Sequence, residues 1–334
     1  RDEHTSRGLG DVYKSQIRRR VVIRPHPDLL SSESEVNDAV SRIMPEEALI
    51  RRIWLDPALS EVTIEADDPK SAVGQKGTNI QQLRNEIGWL VNVVRAPARE
   101  SRTQTDIRRF RKELADERKT LLRKFGTRIY RPQRPGPSWV RVTALGSYRE
   151  VGRAMHLVTT NESKVLVDCG AKPTNNRSEV QPFFAAPEML PLDNIDAVVI
   201  THAHVDHIGM LPVLFKYGYK GPVYCTQPTR DLMTLLQMDY IKVAQAEGND
   251  PPYSKSDIQE CIKHVVDINW GEKTDIAPDI KMTMENAGHI LGSSSVYMQI
   301  GEGRNEHKLL FSGDIKYEKS WLFDAATVRF NKVD

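Results

Sequence analysis

The chain has 334 residues, a formal net charge of +2 and 28% charged side chains. This length is enough for two or three domains that each bury a core. No apolar stretch approaches the roughly 20 residues needed to cross a bilayer, and the start carries no signal-peptide pattern. The three cysteines (Cys169, Cys225 and Cys261) are an odd number and widely spaced, which argues against a disulfide framework. A reducing, cytoplasmic location is therefore expected.

Residues 1–30 are too few to form a domain of their own. Within them, residues 17–24 predict a single strand with basic flanks. Two interpretations of Arg18, Arg19 and Arg20 stay open, namely contact with nucleic acid and simple exposure along an edge strand.

Residues 34–96 contain the elements of a small α+β module. They are, in order, a helix over residues 35–43, strands over 50–55 and 61–66 joined by a turn at Asp56-Pro57, the loop Gly74-Gln75-Lys76-Gly77, a helix from Thr78 to about Glu86 with Thr78 as its N-cap, and a strand over 92–94. This order resembles the type II arrangement of KH domains. We therefore predict a KH domain over residues 31–97.

The loop Gly74-Gln75-Lys76-Gly77 is the candidate nucleic-acid contact of this module. Glycines without a Cβ let the backbone approach several nucleotides, and the amides at a helix start favour anions. Lys76 adds positive charge at the same place. Single-stranded RNA or DNA is the predicted ligand, although an isolated GxxG also occurs in ordinary connections between helices.

A strongly basic segment follows the module. From Arg95 to Arg134 there are fourteen Lys or Arg and five Asp or Glu, a local excess of +9, so the rest of the chain carries −7. Residues 105–125 predict one long charged helix, and Pro132, Pro135 and Pro137 predict a stiff connector after it. Residues 98–137 are thus predicted to be a basic helical linker, which is either a phosphate-binding stripe or a solvated helix.

From Trp139 onward predicted strands and helices alternate, which favours stacked α/β layers over residues 138–334. The first strands are predicted at residues 141–145 and 154–158. His156 alternates with apolar neighbours in the second of these, so we interpret it as a packed histidine and not as a metal ligand.

The stretch His202-Ala203-His204-Val205-Asp206-His207 carries four side chains that can bind metal within six residues. It follows the apolar run 197–200, which predicts a buried strand. His202 and His204 can aim at one ion, and Asp206 and His207 at a second beside it. Neutral imidazole suits zinc, and carboxylates mix readily into such sites.

Three further candidate ligands follow predicted strands or glycine turns elsewhere in the chain. Asp168 ends the run 164–167, His289 lies in Gly288-His289-Ile290-Leu291-Gly292-Ser293, and Asp314 closes Ser312-Gly313-Asp314. Each alone is a weak indication, because Asp and His are common in turns. Their order in one chain makes the combination specific.

This series resembles the metal motifs of the metallo-β-lactamase fold. The sequence around His289 and Asp314 resembles that of the β-CASP nucleases of that superfamily. With the KH-like module, the chain is most similar to the archaeal homologues of the cleavage and polyadenylation specificity factor. The resemblance implies an α/β architecture in which a KH-like part precedes a metallo-β-lactamase αββα sandwich. Residues 1–30 would then be the remnant of an earlier KH-like unit.

The resemblance also implies roles for the candidate residues. His202, His204 and His289 would hold one zinc ion, Asp206 and His207 a second, and Asp314 would bridge them. Asp168 would lie behind the ligands and orient a histidine or the nucleophilic water, which Asp206 would also steer. Such a protein would hydrolyse phosphodiester bonds in single-stranded RNA, as an endonuclease or a 5′–3′ exonuclease, during RNA 3′-end formation and transcription termination. RNA polymerase would be a partner, and the protein would be a homodimer.

In β-CASP enzymes an acidic motif and two further histidines lie beyond the segment that ends here at Asp334. We therefore expect the β-CASP insertion and the C-terminal dimerisation region to be absent, and this chain alone to bind zinc incompletely and to cut poorly or not at all. Two other classes of function stay open. One is a noncatalytic RNA-binding termination scaffold, and the other is a small-molecule metallo-hydrolase, since HxHxDH also serves lactonases and β-lactamases.

Overall fold

The computed structural model describes residues 24–133, 139–174 and 177–334. The chain divides into two compact units, Arg1–Thr120 and Leu121–Asp334. Most of the strand predicted at residues 17–24 lies outside the described residues, as do Pro135 and Pro137 of the predicted connector. In the described part of the chain, no helix is both long enough and apolar enough to cross a membrane.

The first unit contains the helices and strands predicted above, together with one short helix, Pro69–Val73, for which no range was predicted. They are α1 (Glu33–Ile43), β1 (Ile50–Asp56), β2 (Glu61–Ala66), α2 (Pro69–Val73), α3 (Thr78–Ile87) and β3 (Leu90–Arg95). The three strands form one sheet in the order β1-β2-β3, in which β2 runs antiparallel to β1 and parallel to β3. Helix α1 begins at a capping box between Ser32 and Glu35 and buries Val36 and Val40 on the core side.

The predicted N-cap of α3 is wrong. Gly77 occupies the N-cap position with φ of 82°, and no side chain caps the helix. A left-handed backbone conformation favours glycine there, so Thr78 becomes the first helical residue instead. Lys76 also has a positive φ, 52°, which shows how tightly the Gly74–Gly77 loop turns into α3.

The single long helix predicted over residues 105–125 is also wrong. Two helices, α4 (Arg102–Glu113) and α5 (Ala115–Ile129), are separated at Leu114, whose φ and ψ are −96° and 22°. The Leu114 carbonyl accepts a hydrogen bond from the Arg118 amide at 2.9 Å and so starts the second helix. Apolar periodicity continues across the break, which is why the sequence pattern does not reveal it. The division between the two compact units falls within α5.

Several cations of the basic segment are bound to acids of the first unit. Arg118 donates to both carboxylate oxygens of Asp56, at 3.0 and 3.1 Å, and Arg111 lies 3.8 Å from the same carboxylate. Arg108 donates to the buried Glu65 at 2.5 Å. The α4–α5 segment is therefore joined to the small sheet by ion pairs. A fully solvated helix does not describe it, and phosphate binding by its exposed cations stays a prediction.

Replacing Arg118 with alanine should lower the free energy of unfolding by roughly 3 kcal/mol, because the Asp56 carboxylate loses its nearest cation in a buried setting. Urea denaturation followed by circular dichroism measures the change. Arg123→Ala removes an exposed arginine from the same helix and should shift stability by no more than about 0.5 kcal/mol. Equal effects of the two substitutions would contradict the structural role of the ion pair.

The second unit is built on two sheets. Its elements are β4 (Val140–Ala144), β5 (His156–Thr160), β6 (Lys164–Val167), α6 (Arg177–Val180), β7 (Ala197–Val199), α7 (Val205–Ile208), α8 (Leu211–Lys216), β8 (Val223–Cys225), α9 (Gln227–Ala246), α10 (Lys255–His264), β9 (Val265–Asp267), β10 (Thr274–Ala277), β11 (Ile280–Asn286), β12 (Ser294–Ile300) and β13 (His307–Phe311). Strands β4 to β9 form a six-stranded sheet in sequential order, and β10 to β13 a four-stranded one. The strand predicted at 154–158 begins two residues later than expected.

The two sheets pack face to face over one apolar core. The six-stranded sheet contributes Val165, Val167 and Val199, and the four-stranded sheet contributes Met282 and Met298, all fully buried or nearly so. Residues that alternate with these, such as Leu166 and Val198, are equally buried on the opposite face of the six-stranded sheet. A strand buried on both faces must be covered on both, as expected for stacked layers.

Strand direction determines where the functional residues lie. Strands β6 and β7 are parallel neighbours, with Val167 opposite Val199. Parallel strands end at the same edge of a sheet, so the residues after β6 and β7 emerge side by side. Asp168 follows the first strand, and Thr201 and His202 follow the second.

Candidate metal centre

The histidine motif lies on the turn from β7 into the short helix α7. His204 is the N-cap of α7, and Asp206 and His207 are in its single turn. His202 is completely buried at the strand end, whereas His204 and Asp206 are partly exposed. The middle of the motif therefore reaches the surface, whereas His202 and His207 at its two ends are buried.

Three imidazole nitrogens and one carboxylate oxygen converge on a single point. The Nε2 atoms of His202 and His289 each lie 3.1 Å from Nδ1 of His204. Oδ2 of Asp314 lies 3.4 Å from Nε2 of His289 and 3.7 Å from Nε2 of His202. All four ligand atoms are within 4.8 Å of one another. We call these four residues the first ligand group.

The spacing of the first ligand group fits a tetrahedral metal ion. Ligand atoms at the usual zinc–nitrogen distance of about 2.0–2.1 Å are about 3.3 Å apart around a tetrahedral centre. The four separations above scatter around that value. Two imidazole nitrogens at 3.1 Å can share one hydrogen or, when both are unprotonated, hold a cation between them.

A second ligand group, which consists of Asp206 and His207, lies on the other side of Asp314. Oδ1 of Asp314 is 3.5 Å from Nε2 of His207, and Oδ2 of Asp206 is 3.7 Å from the same nitrogen. The two oxygens of one carboxylate thus face different histidines. Asp314 is the most exposed of these residues, with 45% of its side chain accessible, so the centre opens to solvent at this point.

Asp168 lies behind the ligands and is 3% exposed. Its carboxylate accepts hydrogen bonds from the Thr201 backbone amide at 2.8 Å and from the Thr201 hydroxyl at 2.9 Å. Nδ1 of His207 is 2.8 Å from the same carboxylate, which leaves Nε2 facing Asp206 and Asp314. A buried acid of this kind fixes the ring orientation of a ligand histidine. Its left-handed φ of 59° is unusual for an aspartate and is typical of a strained functional position.

The charges of the centre are set by its neighbours. Burial acts to lower the pKa of His207, but Asp168, Asp314 and Asp206 outweigh it and raise that pKa to about 10. Burial and the neighbouring charge of His207 lower the pKa of His202 to about 3. The hydrogen bond from His207 is the main cause that lowers the pKa of Asp314 to about 2. Without a metal ion, His207 therefore carries one positive charge, which faces Asp168, Asp206 and Asp314.

His289 is held by a tight loop between β11 and β12. The Ser293 hydroxyl accepts hydrogen bonds from the backbone amides of His289 and Ile290, at 3.1 and 3.2 Å. Gly288 has a φ of 69°, and a Cβ there would meet three backbone atoms at 2.8 Å. The motif around His289 thus has its glycine and serine for structural reasons.

The structure brings all seven predicted residues of this centre together, namely Asp168, His202, His204, Asp206, His207, His289 and Asp314. Sequence reasoning missed Thr201, whose hydroxyl contacts Asp168 and also lies 3.0 Å from Nδ1 of His202. A hydroxyl residue between a buried strand and a histidine motif is a usable sign of such a contact. His156, interpreted as a packed histidine, is half-buried, and its ring contacts those of Tyr148 and Phe311.

A family model described as the metallo-beta-lactamase superfamily matches residues 149–333. This span is more than half of the chain and contains both ligand groups and Asp168. The chain belongs to the metallo-β-lactamase superfamily. The fold class expected from the motifs is thereby confirmed, and a metal-dependent hydrolase is the class of enzyme that fits the ligand cluster.

Several relatives of this chain are named transcription termination factor FttA. The protein from Methanosarcina mazei is 45% identical over 319 residues, which cover 96% of this chain and 50% of the relative. That from Methanothermobacter thermautotrophicus is 41% identical over 327 residues, 98% of this chain and 51% of the relative. The chain thus spans about half the length of these relatives. A solved B3 metallo-β-lactamase with an active-site glutamic acid is 18% identical, with a TM-score of 0.36 over 60% of this chain and 70% of its own.

Gly170→Ala should destabilise the second unit by roughly 3 kcal/mol or more, because a Cβ at this position would lie 1.6 Å from the Asp206 carbonyl oxygen. The backbone beside two ligands would have to move. Gly126→Ala is the matched control, since a Cβ there meets nothing within 4 Å and alanine favours its helix. Thermal denaturation of both variants measures the difference, and similar melting temperatures would show that the Gly170 contact is easily relieved.

Zinc binding near pH 8 should release about one proton per chain from His207, because a group with a pKa of about 10 is still charged there and Nε2 must lose its proton to bind a cation. The release should vanish as the pH rises through 10. Calorimetric titration in two buffers with different ionisation enthalpies measures it. In Asp168→Asn the pKa of His207 falls and fewer protons should leave at pH 8. Binding heats that are independent of the buffer would contradict this assignment of charge.

Proposed function

We propose that this chain supplies the metal centre and an RNA-binding module of a zinc-dependent ribonuclease that acts in transcription termination. Its substrate would be single-stranded RNA, and the reaction would be hydrolysis of a phosphodiester bond. The KH-like module over residues 31–97 would hold the strand through Gly74, Gln75, Lys76 and Gly77. As in the resemblance described above, the full-length protein would be a homodimer of the β-CASP type with RNA polymerase as a partner.

The position of Asp314 carries this proposal. Its two oxygens face separate histidine groups, which is the arrangement required of a bridging ligand in a two-metal site. Phosphodiester hydrolysis is a common reaction of paired ions, because charge develops on both the attacking and the leaving oxygen. His202, His204 and His289 would hold one zinc ion, and Asp206 and His207 the other.

The choice of RNA over a small molecule is supported by the first unit and by the relatives. A GxxG loop with positive φ at both glycines leads into α3, whose N-terminus has no side-chain cap. The amides at a helix start favour phosphate. The relatives are named for transcription termination, a process that acts on a nascent transcript. A small-molecule hydrolase has no need of such a module.

Each residue of the metal centre would have a different role in the hydrolysis. Bound zinc would activate water and offset charge on the phosphate. Asp168 keeps the His207 ring oriented through Nδ1, so that Nε2 stays available. Asp206 is partly exposed beside His207 and would accept a hydrogen bond from the attacking water, which orients it toward phosphorus. Asp314 faces solvent, where the substrate must enter.

Full-length protein with zinc should cleave end-labelled single-stranded RNA, and His207→Ala or Asp206→Asn should reduce the rate by about a hundredfold or more, since each removes a metal ligand. Gln75→Asp with Lys76→Asp should instead weaken RNA binding and leave the metal content unchanged. Elemental analysis, a binding titration and the cleavage ladder together separate the two effects, and the ladder distinguishes internal cuts from end trimming.

Three outcomes would contradict the proposal. Tight RNA binding without metal-dependent cleavage would leave a noncatalytic termination factor with a structural metal. Hydrolysis of small esters or lactones without RNA affinity would indicate a small-molecule hydrolase. An unchanged metal content in both His202→Ala and His289→Ala would show that the first of the two ions sits elsewhere.

A further inference from the structure

The loop between β4 and β5, which is hydrogen-bonded to Asp206 of the metal centre through Ala154, holds an aromatic side chain out in solvent. Tyr148 is 66% exposed, and Val151 on the same loop is 77% exposed. Arg149, next to the tyrosine, is also exposed and adds a positive charge. Large apolar side chains left in solvent next to a catalytic centre often mark a ligand-binding surface.

Hydrogen bonds and an unusual backbone conformation hold the loop in spite of its exposure. Ser147, Arg149 and Arg153 all have positive φ values, between 45° and 65°, which is uncommon for residues other than glycine. Glu150 is hydrogen-bonded to Arg153 and, at 2.9 Å, to Lys172. Backbone strain of this kind persists only where surrounding contacts enforce it, and it is concentrated at functional sites. The backbone on both sides of Tyr148 is therefore held by contacts within the protein.

The loop is also joined directly to the metal motif. The Ala154 amide at its end donates a hydrogen bond to the Asp206 carbonyl at 2.8 Å. The rings of Tyr148 and His156 are 6.1 Å apart, and those of His156 and Phe311 are 5.8 Å apart. Phe311 ends the strand that leads to Asp314. A ligand on Tyr148 would thus be held at a fixed distance from the ligand groups.

Tyr148 lines a cavity, and a second aromatic residue lines that cavity too. The cavity has a volume of about 680 Å³, and Phe183 lines it together with Tyr148. Phe183 is 60% exposed, and its amide donates to the Leu145 carbonyl at 2.8 Å, which ties it to the base of the loop. The volume is within the range of small-ligand sites, and flat aromatic faces are what single-stranded nucleic acids stack on.

We propose that Tyr148 and Phe183 form a stacking subsite for an unpaired base of single-stranded RNA, next to the phosphate that is cut. This inference rests on the ribonuclease function proposed above. The subsite accepts any base, because every base offers a flat face, and Arg149 contacts the backbone of the same strand. It positions the strand for cleavage separately from the KH-like module.

A double-mutant cycle between protein and RNA tests the subsite. Tyr148→Leu is combined with an RNA in which one nucleotide at a time is abasic, and dissociation constants are measured in the full-length protein carrying Asp206→Asn, with zinc in the buffer, so that the RNA is not consumed. At one position the abasic change should weaken binding roughly tenfold in the Tyr148 protein and have little effect in the Tyr148→Leu protein. The contribution of the KH-like module cancels in this comparison.

Two control variants sharpen the result. Tyr148→Phe keeps the ring and should keep the coupling to the abasic position. Tyr217→Leu removes a tyrosine of similar exposure, 69%, at the end of α8 and should show no coupling. If RNA binds and the unmutated protein cuts it but no position couples to Tyr148, the stacking subsite is refuted and the proposed function stands. If the unmutated protein neither binds nor cuts RNA, both proposals fail.

Discussion

The buried carboxylate of Asp168 holds the metal centre together. A charged group that is 3% exposed needs strong partners, and it finds them in the Thr201 amide, the Thr201 hydroxyl and the His207 ring. The hydroxyl has one hydrogen, which goes to Asp168. Its oxygen is then free to accept the hydrogen on Nδ1 of His202, which leaves Nε2 of that ring as a ligand atom. One acid thus orients histidines of both ligand groups.

Much of this centre is predictable because its residues follow buried strands. The histidine motif is local in sequence, and parallel strands bring Asp168 beside it. Other features depend on contacts that a pattern does not contain. The Ser293 hydroxyl, which accepts two loop amides, is an ordinary serine in the sequence. The break between helices at Leu114 lies within an uninterrupted apolar periodicity. The N-cap position predicted for Thr78 is occupied by Gly77, whose backbone is in the left-handed conformation.

The basic segment shows why charge counts alone are ambiguous. Its excess of nine positive charges is correct as a sum. Arg108 and Arg118, however, form ion pairs with Glu65 and Asp56, which lie more than 40 residues away in sequence. Composition gives the number of cations in a segment but not the acids that face them after folding. The cations that remain exposed are the ones available to phosphate, and only the structure identifies them.

The ligands come from both sheets of the second unit. Asp168 and the histidine motif follow strands of the six-stranded sheet, whereas His289 and Asp314 follow strands of the four-stranded one. During synthesis the histidine motif leaves the ribosome before His289 and Asp314 have been made. A cation that bound early would meet only part of its coordination sphere and would exchange readily. Tight binding of a metal ion would therefore require that one sheet has completed its docking on the other.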